Sequence, residues 1–429
     1  MNDRQHEQDL MTCVHCGLCL SACPTYLETG SEADSPRGRI VLMRGLHEGR
    51  LSPSDPDVVR HLDLCLGCRA CETACPSGVP YSSILEVARA RLNADRARPV
   101  VTDQSRRAFL DTLARPRRLA MTLKMADALT GGAIPAPVAN ALAGNNPLLR
   151  SGGGWRASAS RVGAAAGQPL PAFTPAVSPK RARVGMLTGC VMRVLYGDIN
   201  ADTARVLAAN GCEVLTNRRQ GCCGALHRHN GFVRDADDMA RALVDAFTPF
   251  DGLDAIVTNS AGCGSTLKEY GHLLADDPAY AARAAAFAAK VRDVSEFLDD
   301  LGWTASLRPL SDQPVSVAYH DACHLAHGQG IRDQPRALLA KIPGVTLVPL
   351  PESEICCGSA GIYNFTEPDM AQRLQSRKLD HILDTGASIV AAANPGCLAW
   401  IESGVKAHGL DIRLAHPVTL LAEALAETT

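Results

Sequence analysis

The sequence predicts an α/β protein in which a mostly helical N-terminal domain precedes two similar modules, each built on a parallel sheet. Two observations lead to this prediction. Residues 1–97 contain two cysteine-rich runs separated by segments with helical periodicity. From residue 183 onward, short β-branched runs alternate with helical stretches, and the whole pattern occurs twice.

The N-terminal domain is organised by two cysteine runs with the same spacing. Each run reads Cys-x2-Cys-x2-Cys-x3-Cys-Pro, from Cys13 to Pro24 and again from Cys65 to Pro76. This spacing is typical of bacterial ferredoxins, which hold iron–sulfur clusters through cysteine thiolates. Zinc sites or disulfides are the alternative, but zinc ligands usually come as two close pairs placed far apart. The runs therefore predict a two-cluster ferredoxin.

The ligands of the two clusters are expected to cross between the runs. The fourth cysteine of a run cannot fold back onto the cluster that the first three hold, so it ligates the other cluster. We assign one [4Fe–4S] cluster to Cys13, Cys16, Cys19 and Cys75. The second [4Fe–4S] cluster is assigned to Cys65, Cys68, Cys71 and Cys23.

The stretch between the runs predicts an α-helical rather than a β-rich ferredoxin. Residues 40–46 and 56–64 carry apolar residues at three- and four-residue steps. Arg37 and Arg39 open the first of these segments, where they either face a cluster or a partner or lie in solvent. We expect little apolar core around the cysteine loops, so that metal binding also supplies folding energy.

Composition excludes several classes of function. The chain has 429 residues, a net charge of −2 and only 4% aromatic residues, which argues against a nucleic-acid-binding protein. The charged N-terminus has no apolar signal region, and no apolar run reaches the length of a membrane helix. The 17 cysteines lie in motifs of a long chain rather than in a small disulfide framework. A reducing, cytoplasmic location is therefore expected.

Residues 98–182 form a connector that we expect to be partly helical and partly flexible. Between residues 106 and 124, basic residues alternate with Phe109, Leu110, Leu113, Leu119 and Leu123. Such a basic amphipathic segment either contacts the inner face of the cell membrane as a peripheral protein, docks on a partner, or packs on its own protein. Residues 131–179 are rich in Gly, Ala, Pro and Ser, which is typical of a flexible linker.

An internal repeat divides the remainder into two modules, residues 183–300 and 315–425. Three cysteine positions of the first module recur in the second, 133, 134 and 134 residues further on. Predicted strands at 184–187, 212–215 and 255–258 correspond to strands at 315–319, 345–348 and 389–392. Because these strands alternate with helices, we predict two repeated Rossmann-like modules with parallel sheets.

The repeated cysteines fall just beyond the predicted strands, where ligand sites of open parallel sheets lie. They are Cys190, Cys222, Cys223 and Cys263 in the first module, and Cys323, Cys356, Cys357 and Cys397 in the second. Each set suits a further iron–sulfur cluster, a zinc ion, or redox or buried thiols without metal. A glycine after each vicinal pair would let the backbone approach a bulky cofactor. Cys212, outside the repeat, is expected in the core.

Four histidines accompany these motifs: His227, His229, His320 and His324. Each is either a ligand or proton carrier, or a neutral histidine hydrogen-bonded inside the sheet. No glycine-rich motif for a flavin, a nicotinamide or a nucleotide phosphate follows a predicted strand. No residue of this chain is therefore assigned to catalysis on a substrate.

The motifs resemble those of the iron–sulfur subunits of glycolate oxidase (glycolate dehydrogenase). The resemblance is carried by the two cysteine runs, by Ser35-Pro36-Arg37-Gly38-Arg39-Ile40, and by Gly262-Cys263-Gly264 with Lys268-Glu269-Tyr270-Gly271. The run from Leu64 to Val79 and the segment Cys356-Cys357-Gly358-Ser359-Ala360-Gly361 also match. The likeness covers nearly the whole chain and is weakest in the connector.

The resemblance implies that flavin (FAD) subunits oxidise glycolate and that this chain passes the electrons toward a quinone-linked acceptor. Lactate, glycerol-3-phosphate and heterodisulfide-reductase subunits are similar, so a related dehydrogenase or a disulfide-reducing catalytic subunit is the alternative. Many of those modules carry Cys-x-x-Cys where this chain has the last repeated cysteine of each module, Cys263 or Cys397. This chain has Ser260 and Asn394 at the first cysteine of that motif, which leaves each module one thiol short.

Overall fold

The computed structural model describes residues 3–95, 97–130, 170–177 and 179–426. The N-terminal region is helical, as predicted. Its helices are α1 (Asp3–Met11), α2 (Pro24–Thr29), α3 (Pro36–His47), α4 (Pro56–Asp63), α5 (Ala70–Thr73) and α6 (Tyr81–Ala94). Prolines at the first positions of α2, α3 and α4 suit these starts, because the amide of that position has no intrahelical partner. Ser35 and Asp55 cap α3 and α4 by accepting backbone N–H bonds.

The N-terminal region has an apolar core of its own, which corrects the expectation from its sequence. Helices α1, α3, α4 and α6 bury a common cluster, and Met43, Leu62, Ile84 and Leu92 are at most 1% exposed. The core arises because each helix contributes one apolar stripe, although no single stripe is long. Metal removal is therefore expected to loosen the cysteine loops rather than unfold these helices.

The connector forms α7 (Val100–Ala114) and α8 (Pro116–Thr130), while the predicted linker falls mainly on 131–169, outside the described residues. Leu110, Leu119 and Leu123 are fully buried, and the last two belong to the core of the modules. The apolar face thus packs on the protein itself, which is the last of the three expectations. Arg107, on the outer face, pairs with Asp235 at 2.7 Å.

The first module consists of a five-stranded sheet flanked by helices. Its strands are β1 (Phe173–Thr174), β2 (Ala182–Met186), β3 (Cys212–Leu215), β4 (Ala255–Thr258) and β5 (Val291–Asp293). Its helices are α9 (Val191–Leu195), α10 (Gly197–Ala209), α11 (Ala225–His229), α12 (Val233–Phe247), α13 (Ala261–Lys268), α14 (Tyr270–Leu273), α15 (Ala281–Lys290) and α16 (Val294–Leu301). β1 pairs antiparallel with β3, and the other pairings are parallel.

The second module repeats this plan with four parallel strands. Its strands are β6 (Val315–His320), β7 (Val345–Val348), β8 (Ile389–Ala392) and β9 (Arg413–Ala415). Its helices are α17 (Cys323–Ala326), α18 (Asp333–Leu339), α19 (Tyr363–Thr366), α20 (Pro368–Asp384), α21 (Pro395–Ala407) and α22 (Pro417–Ala424).

The strand order is the same in both modules and refines the predicted class. The sheets run β1-β3-β2-β4-β5 and β7-β6-β8-β9. Without β1, the second, first, third and fourth parallel strands follow one another, as in flavodoxin-like sheets and unlike the dinucleotide-binding order. The α/β class with parallel sheets is confirmed, whereas a Rossmann strand order is not observed. In this order the first and third parallel strands are neighbours, and the loops that follow them can form a site together beyond the carboxyl ends of the strands.

Candidate metal centres

The cysteines of the first run meet the last cysteine of the second run. Cys13, Cys16, Cys19 and Cys75 line one small cavity, which Cys71 and Tyr81 also border. Cys16 is exposed, and the other three are partly buried. Gly17, at φ +87°, turns the loop between Cys16 and Cys19. The free thiols of this cavity are the donors that a [4Fe–4S] cluster uses.

The second set lies deeper in the protein. Cys65, Cys68, Cys71 and Cys23 are all buried. Burial raises the pKa of Cys71, and the nearby Cys68, Cys65 and Cys23 thiols raise it further. Cys23 thus lies within electrostatic reach of the second run although 41 residues separate it from Cys65. This grouping also suits one [4Fe–4S] cluster.

Two buried arginines support the second set. Arg39 is 1% exposed, donates to Thr25 Oγ1 at 3.0 Å, and has Nη1 3.9 Å from Cys23 Sγ. Arg89 donates to the Cys65 carbonyl at 2.6 Å. Burial by itself would raise the pKa of Cys65, but the charges of Arg39 and Arg89 lower it. Arg39 therefore faces the cysteines rather than solvent, while Arg37 bonds the His15 carbonyl beside the first run.

The loop of the second run is held against both modules. Tyr363 donates to the Leu64 carbonyl at 2.8 Å, and His324 donates to the Gly67 carbonyl at 3.1 Å. Arg69 bonds Ser265 Oγ at 3.1 Å and also pairs with Glu269. Cys68 belongs to the same buried cluster as Cys356 of the second module. The second cluster site therefore adjoins the thiols of the second module.

In the first module, all four repeated cysteines converge. The Sγ atoms of Cys190 and Cys222 are 3.4 Å apart, and those of Cys223 and Cys263 are 3.3 Å apart. Hydrogen bonds from Cys190 and Cys223 hold the pKa of Cys222 well below its ordinary value. The four thiols thus form a continuous series of sulfur contacts.

The second module repeats this series and adds a histidine. Hydrogen bonds from Cys356 and Cys397 hold the pKa of Cys357 well below its ordinary value. Cys356 is likewise hydrogen-bonded to Cys323. The ligand atoms of His320, Cys357 and Cys397 lie within 4.8 Å of one another. These are donors that a transition metal accepts.

The two modules face each other across a shared cavity of about 790 Å³, which all eight repeated cysteines line. Asn394 accepts a bond from the Gly262 amide at 3.2 Å, and Tyr196 donates to the Pro395 carbonyl at 3.3 Å. Phe109, Leu119 and Trp400 supply part of its apolar wall. The thiol sets are thus parts of one region rather than separate sites.

The glycines after the vicinal cysteines have a structural role in the fold. Gly224 and Gly358 have φ of +80° and +92°. A Cβ on Gly358 would lie 2.6 Å from the Ala371 carbonyl oxygen, and one on Gly224 would lie 2.8 Å from that of Ala236. Glycine is therefore needed at both positions for a left-handed turn that packs closely on α12 or α20.

Gly358→Ala should consequently destabilise the second module. The left-handed backbone costs an alanine about 1–2 kcal/mol, and the carbonyl clash adds strain of about the same size. Gly386→Ala is the matched control, because its φ is +62° but no atom lies within 4 Å of its Cβ position. Denaturant unfolding of both variants measures the difference. Equal losses would mean that the close contact with α20 does not matter.

The remaining histidines are hydrogen-bonded, and of these His227 is buried while His229 and His324 are half-buried. His227 contacts Asp111 at 3.3 Å, and His229 contacts Glu86 at 3.0 Å. Burial, together with His229 and Arg69, lowers the pKa of His324 to about 3. Cys212 is fully buried in β3, as expected, and burial raises its pKa to about 11. These side chains lie beside the thiol series without joining it.

Sequence reasoning missed three groups around the site: Arg89, Tyr363 and Lys378. Lys378 is 2% exposed on α20, and burial lowers its pKa while the Cys357 and Cys356 charges act in the opposite direction. None of the three lies in a motif. A comparison of the two repeats would have found Lys378, because the equivalent position of the first module is Val244.

The fold and the cysteine sets define a class of iron–sulfur protein, and the family models agree. A 4Fe-4S dicluster domain matches residues 9–79. A cysteine-rich domain matches twice, over residues 184–268 and 317–402. The chain is therefore an iron–sulfur protein with one dicluster domain, which carries 4Fe–4S clusters, and two cysteine-rich domains.

Relatives identify the family. The chain is 35% identical to the probable glycolate oxidase iron-sulfur subunit of Bacillus subtilis (strain 168), over 100% of this chain and 96% of the relative. It is 34% identical to the glycolate oxidase iron-sulfur subunit of Escherichia coli (strain K12), over 94% and 92%. A subunit of the fumarate reductase (CoM/CoB) of Methanothermobacter marburgensis is 27% identical over 99% and 74%. The chain belongs to the family of glycolate oxidase iron–sulfur subunits, which are parts of an oxidoreductase complex.

Proposed function

We propose that this chain carries electrons from glycolate, oxidised on flavin (FAD) subunits of the same complex, toward a quinone-linked acceptor. The observation that supports this proposal is that the thiol sets follow one another through the protein. They run from the exposed loop of Cys16, through the buried second run, to the cavity between the modules. A row of redox sites from surface to interior suits electron transfer and requires no substrate bond in this chain.

Cys13, Cys16, Cys19 and Cys75 would hold the first cluster, and Cys65, Cys68, Cys71 and Cys23 the second. Bound clusters of this type exchange single electrons at potentials of about −700 to +450 mV, tuned by charge, hydrogen bonds and solvent. Arg39 and Arg89 place positive charge beside the second set, which favours an added electron there. Cys16 of the first set, in contrast to the cysteines of the second set, is exposed.

Electrons are proposed to enter at the first run. Val14 and Leu18 flank Cys16 and are 68% and 59% exposed. Two large apolar side chains beside an exposed ligand suit a protein partner, because burying them on docking excludes water from the transfer path. A flavin subunit fits this position, since the other cluster site adjoins the modules.

The modules are proposed to supply a further metal centre, an iron–sulfur cluster or zinc, held by the repeated cysteines. In a Rossmann-like or other doubly wound sheet, ligands lie beyond the carboxyl ends of the strands, and the thiols lie there. Residues 1–97, 183–300 and 315–425 are proposed as working units joined by 98–182. A cytoplasmic location suits the free thiols. No helix of the described residues is long and apolar enough to cross a membrane.

Reduction of a disulfide substrate by the modules is the second candidate function. The cavity of about 790 Å³ favours it, since a pure carrier needs no space of that size beside its thiols. Turnover of a small disulfide by the isolated chain, lost in Cys357→Ala, would support this catalytic alternative. No turnover would leave electron transfer as the function.

The entry surface is tested by charge substitution. Val14→Glu with Leu18→Glu should weaken binding of the flavin subunits at least about tenfold, because a buried carboxylate at an apolar contact costs more than about 1.4 kcal/mol. Leu383→Glu is the matched control on α20, where Leu383 is 48% exposed. Affinity is measured by sedimentation of the purified components. Unchanged binding of the double variant would place the flavin subunits elsewhere.

A further inference from the structure

The cavity between the modules extends beyond its thiols to an opening beside α7. Its volume of about 790 Å³ lies within the range of about 300–1,000 Å³ that is typical of small-molecule sites. Val101 and Thr102 line the cavity and are exposed, so it opens to solvent there. Large apolar side chains form much of the wall, and Phe109 and Phe365 meet edge to face at 5.0 Å. The cavity can therefore admit an apolar molecule from the surface.

The arginines that line the cavity near this opening have partners within the chain. Arg98 donates to Asp63 Oδ2 at 2.7 Å. Arg106 donates to Asn230 Oδ1 at 3.1 Å, and its Nη1 lies 3.8 Å from Asp63 Oδ2. Both terminal nitrogens of Arg89 donate to backbone carbonyl groups. An anionic substrate would have to break these pairs, so the wall favours an uncharged ligand.

One carboxyl group of the cavity has no such partner. Glu367, between α19 and α20, lines the cavity, and its side chain forms no hydrogen bond within the described part of the chain. Burial and the Asp63 carboxylate raise its pKa to about 7, while the charges of Arg106 and Arg89 act in the opposite direction. Asp369 of α20 raises it further. Near neutral pH, Glu367 can therefore give a proton to a molecule in the cavity.

The second cluster site borders the same cavity. Cys65 and Glu367 both line it. Tyr363, which donates to the Leu64 carbonyl at 2.8 Å, lies within electrostatic reach of both groups. Burial, together with the charges of Glu367 and Cys65, raises the pKa of Tyr363. Electrons and protons can thus reach one bound molecule.

We infer that this cavity binds a quinone, with its ring and tail against the apolar wall, and that Glu367 is the acid that protonates its oxygens. The inference rests on the proposed function, which supplies two electrons from glycolate one at a time. The two C=O groups of the quinone become the C–OH groups of a hydroquinone. Glu367 gives the first proton, regains one from water at the opening, and then gives the second.

Binding is tested on the full chain by equilibrium dialysis. The probe is a fully substituted benzoquinone with a decyl tail, which resists addition of thiols. Ser105→Trp should weaken binding at least about tenfold, because Ser105 lines the cavity one helical turn from Val101 and an indole there occupies the space of the ligand. Gln104→Trp is the matched control on α7, since Gln104 is exposed and outside the cavity wall. Unchanged binding in folded Ser105→Trp, or no binding by the wild type, would overturn the inference.

The acid is tested in the assembled complex with glycolate as electron donor. Glu367→Gln keeps the side-chain size but gives no proton, so reduction of the same quinone at neutral pH should fall about a hundredfold. Reduction of ferricyanide, which takes one electron and no proton, should not change. Wild-type quinone reduction should fall as the pH rises through about 7, because Glu367 loses its proton, and the variant should lack this dependence. Asp369→Asn is the control, since Asp369 is exposed and outside the cavity wall.

Equal quinone reduction by Glu367→Gln and the wild type would exclude Glu367 as the acid. This variant also decides if Ser105→Trp does not fold, since glutamine fills the same space. The electron-carrier function is followed separately, by the absorbance change of the clusters when glycolate is added to the same complexes. Clusters that stay oxidised would contradict that function, whereas the dialysis would still decide whether the cavity binds a quinone.

Discussion

Replacing Cys75 by serine should perturb the first [4Fe–4S] cluster and spare the second, although Cys75 belongs to the second run. The reason is geometric, because Cys75 lines the cavity of Cys13, Cys16 and Cys19. Cys23→Ser is the reciprocal variant and should affect only the cluster of Cys65, Cys68 and Cys71. Low-temperature magnetic spectra of the reduced protein distinguish the two signals.

The crossed arrangement would be wrong if each serine altered the cluster of its own run. Serine is the suitable replacement, since its oxygen is a poorer ligand of similar size and the loop is preserved. Each variant serves as the control for the other. A loss of both signals in the Cys75→Ser variant alone would also contradict the separate grouping.

Arg39→Met should cost about 3–5 kcal/mol of stability in the N-terminal region, the loss typical of breaking a buried ion pair. Arg39 donates to the His61 carbonyl at 2.7 Å and lies 3.7 Å from the buried carboxylate of Asp34. Methionine fills similar space but leaves Asp34 without that charge. Denaturant unfolding, followed at the helices of this region, measures the loss.

The same variant should lower the reduction potential of the second cluster, because a positive charge that favours the added electron is removed. The shift is about 60 mV for each 1.4 kcal/mol of lost interaction. Arg44→Met is the matched control on α3, where Arg44 pairs with Glu48 at the surface. Equal stability and equal potential in the two variants would show that Arg39 does not support the cysteines.

The sequence predicts the local parts of this protein well. Cysteine spacing places the thiols of each run close together, because each run is a short loop. The predicted strands 212–215, 255–258, 345–348 and 389–392 coincide with β3, β4, β7 and β8. β4 and β8 are predictable because central parallel strands are buried along their whole length. β3 and β7 are predictable because each is a short valine-containing run between helical segments. β1, β5 and β9 were not predicted, since two or three residues carry no periodic signal.

The features that the sequence did not predict depend on packing between residues that are far apart in the chain. The bond from Tyr363 to the Leu64 carbonyl joins residues 299 positions apart, and no local pattern predicts it. The burial of Leu119 and Leu123 separates a packed helix from a membrane-surface helix, which the alternation of basic and apolar residues alone does not distinguish. In the sequence, Arg39 indicates only the start of a helix. In the structure it is buried and donates to the His61 carbonyl of α4.

The internal repeat predicted the features that the two modules share but not those in which they differ. Its constant offset predicted two modules with equivalent thiols, and the sulfur contacts are equivalent. The same equivalence drew attention away from the positions at which the modules differ, Leu187 against His320 and Val244 against Lys378. Those differences become meaningful only when the side chains are placed beside Cys357.

A two-stage assay on the whole complex tests the electron-carrier function most directly. Cys16→Ala and Cys68→Ala remove one ligand from each proposed cluster, in complexes checked for assembly and flavin content. Stage one follows bleaching of the flavin by glycolate, and stage two follows reduction of a quinone-site dye. We expect normal bleaching and lost dye reduction in both variants. Loss of flavin bleaching in an assembled complex would mean that this chain takes part in the oxidation itself, and would contradict its function as an electron carrier.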